Sequence, residues 1–314
     1  MAARVTEERQ VPEASFGSYY GRPILKVTRW KEPHLPAYLF LGELSGGAAA
    51  LGAAATATGR PVLARAGRLV AAAAAFAGAG FLTAELGRPE RFVNMLRVAK
   101  PTSPMSVGSW TLAAHSGLVT AAAASSLTGV LPGLGTAAGA ASAVTGPVLA
   151  AYPGVLLANT AVPAWHSAYR ELPLLFTGGA MTAAAAAGLL AAAATGADPG
   201  PAARLAIAGA VTEGVAEVSM ERWLGEAGEP YREGSAGQLL RAARVMTVAG
   251  GVCALAARRS RGAGVLGAAL LAGGGLAAKF AVLRAGVASA KDPRYVIAQQ
   301  RSASGTASAA PART

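Results

Sequence analysis

Thiols, histidines and charged side chains are all scarce in this chain. Its one cysteine, Cys253, lies in an apolar run. That excludes disulfides within the chain and an intrinsic iron–sulfur cluster, because such clusters usually need four thiolates. The three histidines, His34, His115 and His166, stand on separate segments with no His pair along a helix. An intrinsic haem with two axial histidines is therefore not expected, and no grouping of side chains suggests a metal site. There is no Gly-rich phosphate loop and no dinucleotide fingerprint, since the glycines are scattered through apolar stretches. No apolar signal-peptide core precedes Pro36, so the first membrane segment must itself direct insertion.

Charged residues make up 14% of the 314 positions and hydrophobic ones 53%. The mean hydropathy is +0.40. Soluble domains carry roughly 25% charge, so this composition describes an all-α polytopic membrane protein in contact with membrane lipid. Alanine and glycine dominate the apolar runs, as suits helices whose backbones approach closely in lipid. The net charge of +12 invites comparison with nucleic-acid binders. Those concentrate Lys and Arg on a polar face interleaved with aromatics, whereas here the charges lie between apolar runs, so no nucleic-acid partner is expected.

Apolar windows of about 20 residues fall at 36–57, 62–86, 107–130, 137–161, 164–195, 201–224, 238–260 and 263–288, about eight transmembrane helices. Residues 1–35 form a polar N-terminal arm, 36–290 the membrane domain and 291–314 a small-residue tail expected to be largely disordered. An even span count puts both termini on one side. Sorted by that topology, 20 of the 28 basic residues share the side of the termini, 7 lie opposite and Lys279 falls within the last span. The positive-inside rule then places both termini in the cytoplasm of a cell with the chain in its inner membrane.

One stretch stands apart. Residues 85–110, ELGRPERFVNMLRVAKPTSPMSVGSW, form the only long polar, proline-broken passage between apolar segments. It gathers Arg88, Glu90, Arg91, Asn94, Arg97 and Lys100 on the side of the termini.

Ionisable groups inside spans are costly and are functional candidates by default. On this topology Tyr38 and Glu43 lie early in the first span, Glu85 ends the second, and Trp110 and His115 open the third. Tyr152 and Asn159 close the fourth, Glu213, Glu217 and Glu221 fall late in the sixth, and Lys279 lies late in the eighth. All occupy one half of the bilayer. Glu213, Glu217 and Glu221 recur every four residues and share a helix face, as either a proton path or an ion pair with Arg222, Arg244 or Lys279. Tyr38 and Tyr152 could be interfacial belt residues, and His115 either a hydrogen-bonded core histidine or a proton relay. Around Glu43, in LGELSGG, Gly42, Gly46 and Gly47 leave room for a ligand or a close helix.

At LGRPERFVNMLRVAKPTSPMSVGSW the chain resembles the NrfD/PsrC family, the integral membrane subunits of polysulfide reductase-like molybdopterin oxidoreductase complexes. SYYGRPILK with LPAYLFLGELSGG, YPGVLLANTAVPAW, EVSMERWLG and KFAVLRAGVASAKDPRY carry the same resemblance. It implies two four-helix bundles that exchange electrons between a menaquinone-type quinone and a ferredoxin-like iron–sulfur subunit, which serves a molybdopterin catalytic subunit. It also implies a quinone site where the first span meets the fourth. Tyr152 matches the family tyrosine. Tyr38 falls where a relative can carry a quinone-binding histidine and Leu35 where it can carry an asparagine, so His34 is a candidate substitute. Relatives of this kind hold their catalytic subunits outside the cytoplasm, opposite to the side given by the basic-residue count.

The resulting expectation is a membrane anchor and quinone-binding subunit. His34, Tyr38, Tyr152 and Asn159 would bind the head group; Glu43, Glu85 and His115 would serve proton exchange. Glu213, Glu217, Glu221 and Lys279 form a candidate proton path, and Tyr19, Tyr20, Trp30, Arg88, Arg91, Arg97 and Lys100 would dock the iron–sulfur partner. The rival readings are a secondary transporter and a structural anchor without quinone chemistry.

Overall fold

A computed structural model of the chain describes residues 24–26, 28, 30–88 and 90–297. Tyr19, Tyr20 and most of the tail lie outside the described residues. The described residues form helices and connections only: α1 His34–Ala57, α2 Pro61–Leu86, α3 Glu90–Met95, α4 Pro104–Thr128, α5 Pro132–Ala158, α6 Pro163–Ser167, α7 Glu171–Thr195, α8 Gly200–Trp223, a 3-10 turn Gly225–Gly228, α9 Glu229–Arg232, α10 Gly234–Ala256 and α11 Arg261–Lys291.

Local chemistry sets these boundaries. Proline occupies the first turn of α2, α4, α5, α6 and α8, where its fixed φ suits the helix and its missing N–H is not needed. Gly87, Gly129 and Gly196 end α2, α4 and α7 in the left-handed conformation, which glycine adopts without a Cβ penalty. One expected span is corrected. The 164–195 stretch is two pieces, α6 and α7, separated at residues 168–170; Arg170 precedes α7, and Pro173 lies in its first turn, where proline breaks no helical hydrogen bond.

Six helices (α1, α2, α5, α7, α10 and α11) are long and apolar enough to cross a membrane. The chain is thus a multi-pass membrane protein. α4 and α8 have matching lengths, 25 and 24 residues, but are less apolar. They bear His115 and the three glutamates.

α1 is central, packing against α2, α5, α7 and α11, while α7 bridges to α8 and α11, and α10 pairs with α11. Glycine contacts close these crossings. A Cβ on Gly46 would strike the backbone of Gly146, one on Gly67 would strike Gly52, and one on Gly209 would strike Thr182 and the backbone of Gly178. Backbones at such distances gain dispersion contacts that longer side chains would prevent.

The long helices alternate between two ends. One end gathers the start of α1, the end of α2, the 87–103 loop, the end of α5, α6, α9 and the end of α11. There Trp165 donates to Val282 O at 2.8 Å, and Trp30 stacks on Trp165 at 5.2 Å. The opposite end carries the α1–α2, α4–α5, α7–α8 and α10–α11 connections, where Asp198 pairs with Arg60 and Arg258.

Candidate functional site

His34 and Tyr38 are one turn apart on one face of α1, beneath the 87–103 loop. Tyr38, 6% exposed, meets Tyr152 of α5 hydroxyl to hydroxyl. Gly108 of α4 lies against the Tyr152 ring, and a Cβ there would overlap it. On the turn above, His34 packs on Phe81, and its Nδ1 lies 3.9 Å from Glu85 Oε2 at the end of α2. Both of these atoms are buried without a hydrogen-bond partner, while the other Glu85 oxygen accepts from the Lys31 amide at 3.0 Å. Buried polar atoms normally find partners, and these two have none within hydrogen-bond distance. Two phenols, an imidazole and a carboxylate therefore converge within about one helical turn. Such a set can donate hydrogen bonds to a polar ligand and exchange protons with it.

The remaining candidates lie deeper and are not part of that group. Glu43, His115, Glu213 and Lys279 each stand near the middle of their helices. The expectation that His115 opens its span is corrected, because Ser103 caps α4 and Pro104 begins it, placing His115 several residues inside. His115 is fully buried. Its Nε2 lies 3.1 Å from Ser45 Oγ and its Nδ1 2.8 Å from Thr145 Oγ1. Since the Ser45 hydroxyl donates to Ala71 O at 2.7 Å, Nε2 is assigned the proton and Nδ1 accepts from Thr145. Both nitrogens are satisfied, which fits a hydrogen-bonded core histidine.

Glu43 and Lys279 form an ion pair at 2.6 Å with side-chain exposures of 0% and 1%. The ammonium also lies 4.2 Å from the centroid of the Phe176 ring. Lys279, one of three partners considered for the α8 glutamates, makes its ion pair with Glu43, through the packing of α11 on α1. Gly178 and Gly179 of α7 make room for the acids: a Cβ on Gly179 would meet the Glu43 carboxylate, and one on Gly178 would meet Glu213. Glu213 accepts from Thr182 at 2.8 Å and Thr247 at 3.2 Å. One turn further along α8, Glu217 takes Arg244 Nε at 2.5 Å, and Glu221 takes Nη2 at 2.6 Å. The ladder thus passes from buried Glu217 (4% exposed) to solvent-reached Glu221 (46%). Arg222 makes no ion pair among the described residues.

Arg88, Arg91, Arg97 and Lys100 are all exposed, in a loop tied to α4 by the Ser106 hydroxyl, which donates to Val98 O at 2.8 Å. Trp30 is partly withdrawn from any partner, because one ring face covers Trp165. Asn159 caps α5 two turns beyond Tyr152 and is exposed, so it does not join the tyrosines. Outside the spans, Glu32 chelates Arg284 at 2.8 and 2.7 Å, and that guanidinium holds its carboxyl below the ordinary value of 4.5. The residues not anticipated were Ser45, Thr145, Phe176, Thr182 and Thr247. Isolated hydroxyls among alanines were the available signal for four of them.

Fold and interior together define a multi-pass helical membrane protein whose ionisable groups form one site at an end and a polar ladder at mid-depth. The family model described as "Polysulphide reductase, NrfD" matches residues 28–206, more than half of the chain, and the chain belongs to that family. The match covers the tyrosine pair, Glu43 and the 87–103 loop but ends within α8, before most of the ladder. No curated protein matches the sequence.

Proposed function

We propose that this chain is the quinone-reactive membrane subunit of a polysulfide-reductase-like oxidoreductase complex, with eight crossing helices in two four-helix groups. It would exchange electrons between menaquinone and a ferredoxin-like iron–sulfur subunit bound on the 87–103 loop. The observation that supports this most is the convergence of His34, Glu85, Tyr38 and Tyr152 on one face of α1, with two buried polar atoms lacking partners. A quinone gains or loses a proton with each electron at its carbonyl oxygens. Phenol and imidazole groups can donate there, and Glu85, at the edge of the bundle, can pass protons to water. His115, with both nitrogens engaged, is not needed.

In this reading Glu43 and Lys279 set the electrostatics of the bundle centre, while Glu213 bonded to Thr247 and, a turn further on, Glu217 and Glu221 bonded to Arg244 line a path toward the surface. The mid-depth position of Glu43, Lys279 and Glu213 also favours a second reading, an ion or solute transporter, since such sites lie near the bilayer midplane. Uptake of labelled substrate by the isolated subunit would support that one.

The test of the leading reading is quinol oxidation by the purified complex carrying Tyr152→Phe. Turnover should fall at least about tenfold, since a positioned proton donor contributes about a hundredfold or more. Unchanged turnover would remove Tyr152 from the site.

A further inference from the structure

The end of the molecule opposite the tyrosines has its own chemistry, which the quinone reading does not use. A cavity of about 620 Å³ opens there between α1, α5, α7 and α8. Its body is apolar, walled by Ala50, Ala54, Ala150, Met181 and Leu205, and its mouth carries Thr58, Arg60 and Arg204. Arg60 also lines a second cleft, of about 370 Å³, together with Arg65, Arg68 and Ser126. The two spaces therefore share one guanidinium.

The charge balance at this end is lopsided. The connections here hold Arg60, Arg258, Arg259 and Arg261, and Arg65, Arg68 and Arg204 stand in the adjoining helix turns, against a single acid, Asp198. Asp198 is shared between Arg60 at 3.1 Å and Arg258 at 3.3 Å. Among the described residues, neither Arg65 nor Arg204 has an ion-pair partner. Arginine recognises phosphate oxygens by paired N–H donors, and basic pockets between membrane helices take anionic lipid head groups.

We infer that this site binds one anionic glycerophospholipid, its phosphate between Arg60, Arg65 and Arg204 and an acyl chain in the apolar cavity. The cavity lies between α1, α5, α7 and α8, so the lipid fills the crevice among these four helices. A neutral isoprenoid would satisfy the cavity walls but leave Arg204 at its mouth uncompensated, since of the two arginines there only Arg60 meets Asp198. The inference is independent of the quinone reading, because it uses none of the same residues.

The experiment uses the protein purified in detergent, within its complex. After delipidation, phosphatidylglycerol is added against phosphatidylcholine of the same chains; retention is measured by native mass spectrometry and stability by thermal unfolding. The wild type should retain phosphatidylglycerol preferentially and unfold at higher temperature with it. Arg60→Gln with Arg204→Gln should reduce that preference about tenfold or more, given the attraction contributed per basic residue. Arg259→Gln, outside both cavities, should leave it unchanged. Ala54→Phe, which fills the cavity without touching charge, should displace phosphatidylglycerol from a protein that still unfolds cooperatively, and so separates loss of the site from misfolding. Equal retention of the two lipids by the wild type, an unaltered preference in the double variant, or a neutral lipid or quinone as the retained molecule would each overturn the inference.

Discussion

At the level of single residues, the Glu43–Lys279 pair is the most consequential contact in the bundle centre. Among the described residues neither forms a second ion pair, and both are withdrawn from water. Breaking such a pair leaves one buried charge uncompensated, which costs about 3–5 kcal/mol, whereas replacing both members with neutral groups of similar size is often harmless. Lys279→Met alone should therefore lower the unfolding temperature sharply. The double variant Glu43→Gln with Lys279→Met should recover most of the loss. If the double variant were as unstable as the single one, the pair would not be a closed electrostatic unit. Quinol turnover in that double variant bears on the proton route: retained turnover with lost proton translocation would separate the centre of the bundle from the tyrosine end.

At the level of elements, glycine positions decide how closely α4 and α11 can approach their neighbours. Gly108 has the Tyr152 ring where its Cβ would stand, while Gly117, on the same helix, faces open space. Gly108→Ala should push Tyr152 off Tyr38 and lower quinol turnover by about tenfold to a hundredfold, as small misplacements do. Gly117→Ala, assayed in parallel, should do neither. The start of α1 is fixed differently, by Glu32 on Arg284. Because the Glu32 carboxyl is held below its ordinary value of 4.5, the clasp is fully present above that pH and is lost as pH falls through the lower, folded value. Amide protection at residues 30–36, corrected for the intrinsic exchange rate at each pH, should fall on acidification below 4.5, and Glu32→Gln should abolish the step. Much of this level was legible in the sequence: apolar windows located the long helices, and proline starts with glycine ends explain their boundaries to within a few residues. The break before α7 was not, because an apolar window passes over Arg170–Glu171 without registering it. The start of α4 was read late because a serine cap and a first-turn proline look like loop until the helix behind them is seen. That error moved His115 from the bundle edge to its middle.

At the level of the whole molecule, chemistry is segregated by depth and by end. The sequence indicated which residues were costly to bury, but not which would meet, since partner choice depends on helix packing. Lys279 went to Glu43 because α11 packs on α1, and Arg244 went to Glu217 and Glu221 because α10 packs on α8. Both tyrosines stood out by their place in one half of the bilayer, and the family resemblance then marked the meeting of the first and fourth spans as their site. Above that pair, the 87–103 loop presents Arg88, Arg91, Arg97 and Lys100 to solvent, along with the exposed apolar side chains Val93 and Val98, each 64% exposed. Exposed apolar groups set among same-sign charges suit a protein partner of opposite charge, where basic side chains steer encounter and the apolar ones are buried on docking. Reversing Arg88 and Arg91 to glutamate alters neither a buried contact between helices nor the tyrosine end, so the chain itself should still insert and fold. The iron–sulfur partner proposed above should be lost on purification in moderate salt, and quinol-dependent turnover should fall with it. Loss should be milder at low ionic strength for a single reversal, because the Debye length grows from about 10 Å at 0.1 M to about 30 Å at 0.01 M and the remaining basic side chains then attract the partner more strongly. Co-purification of the partner with the doubly reversed chain at wild-type stoichiometry would place the docking surface elsewhere on the molecule.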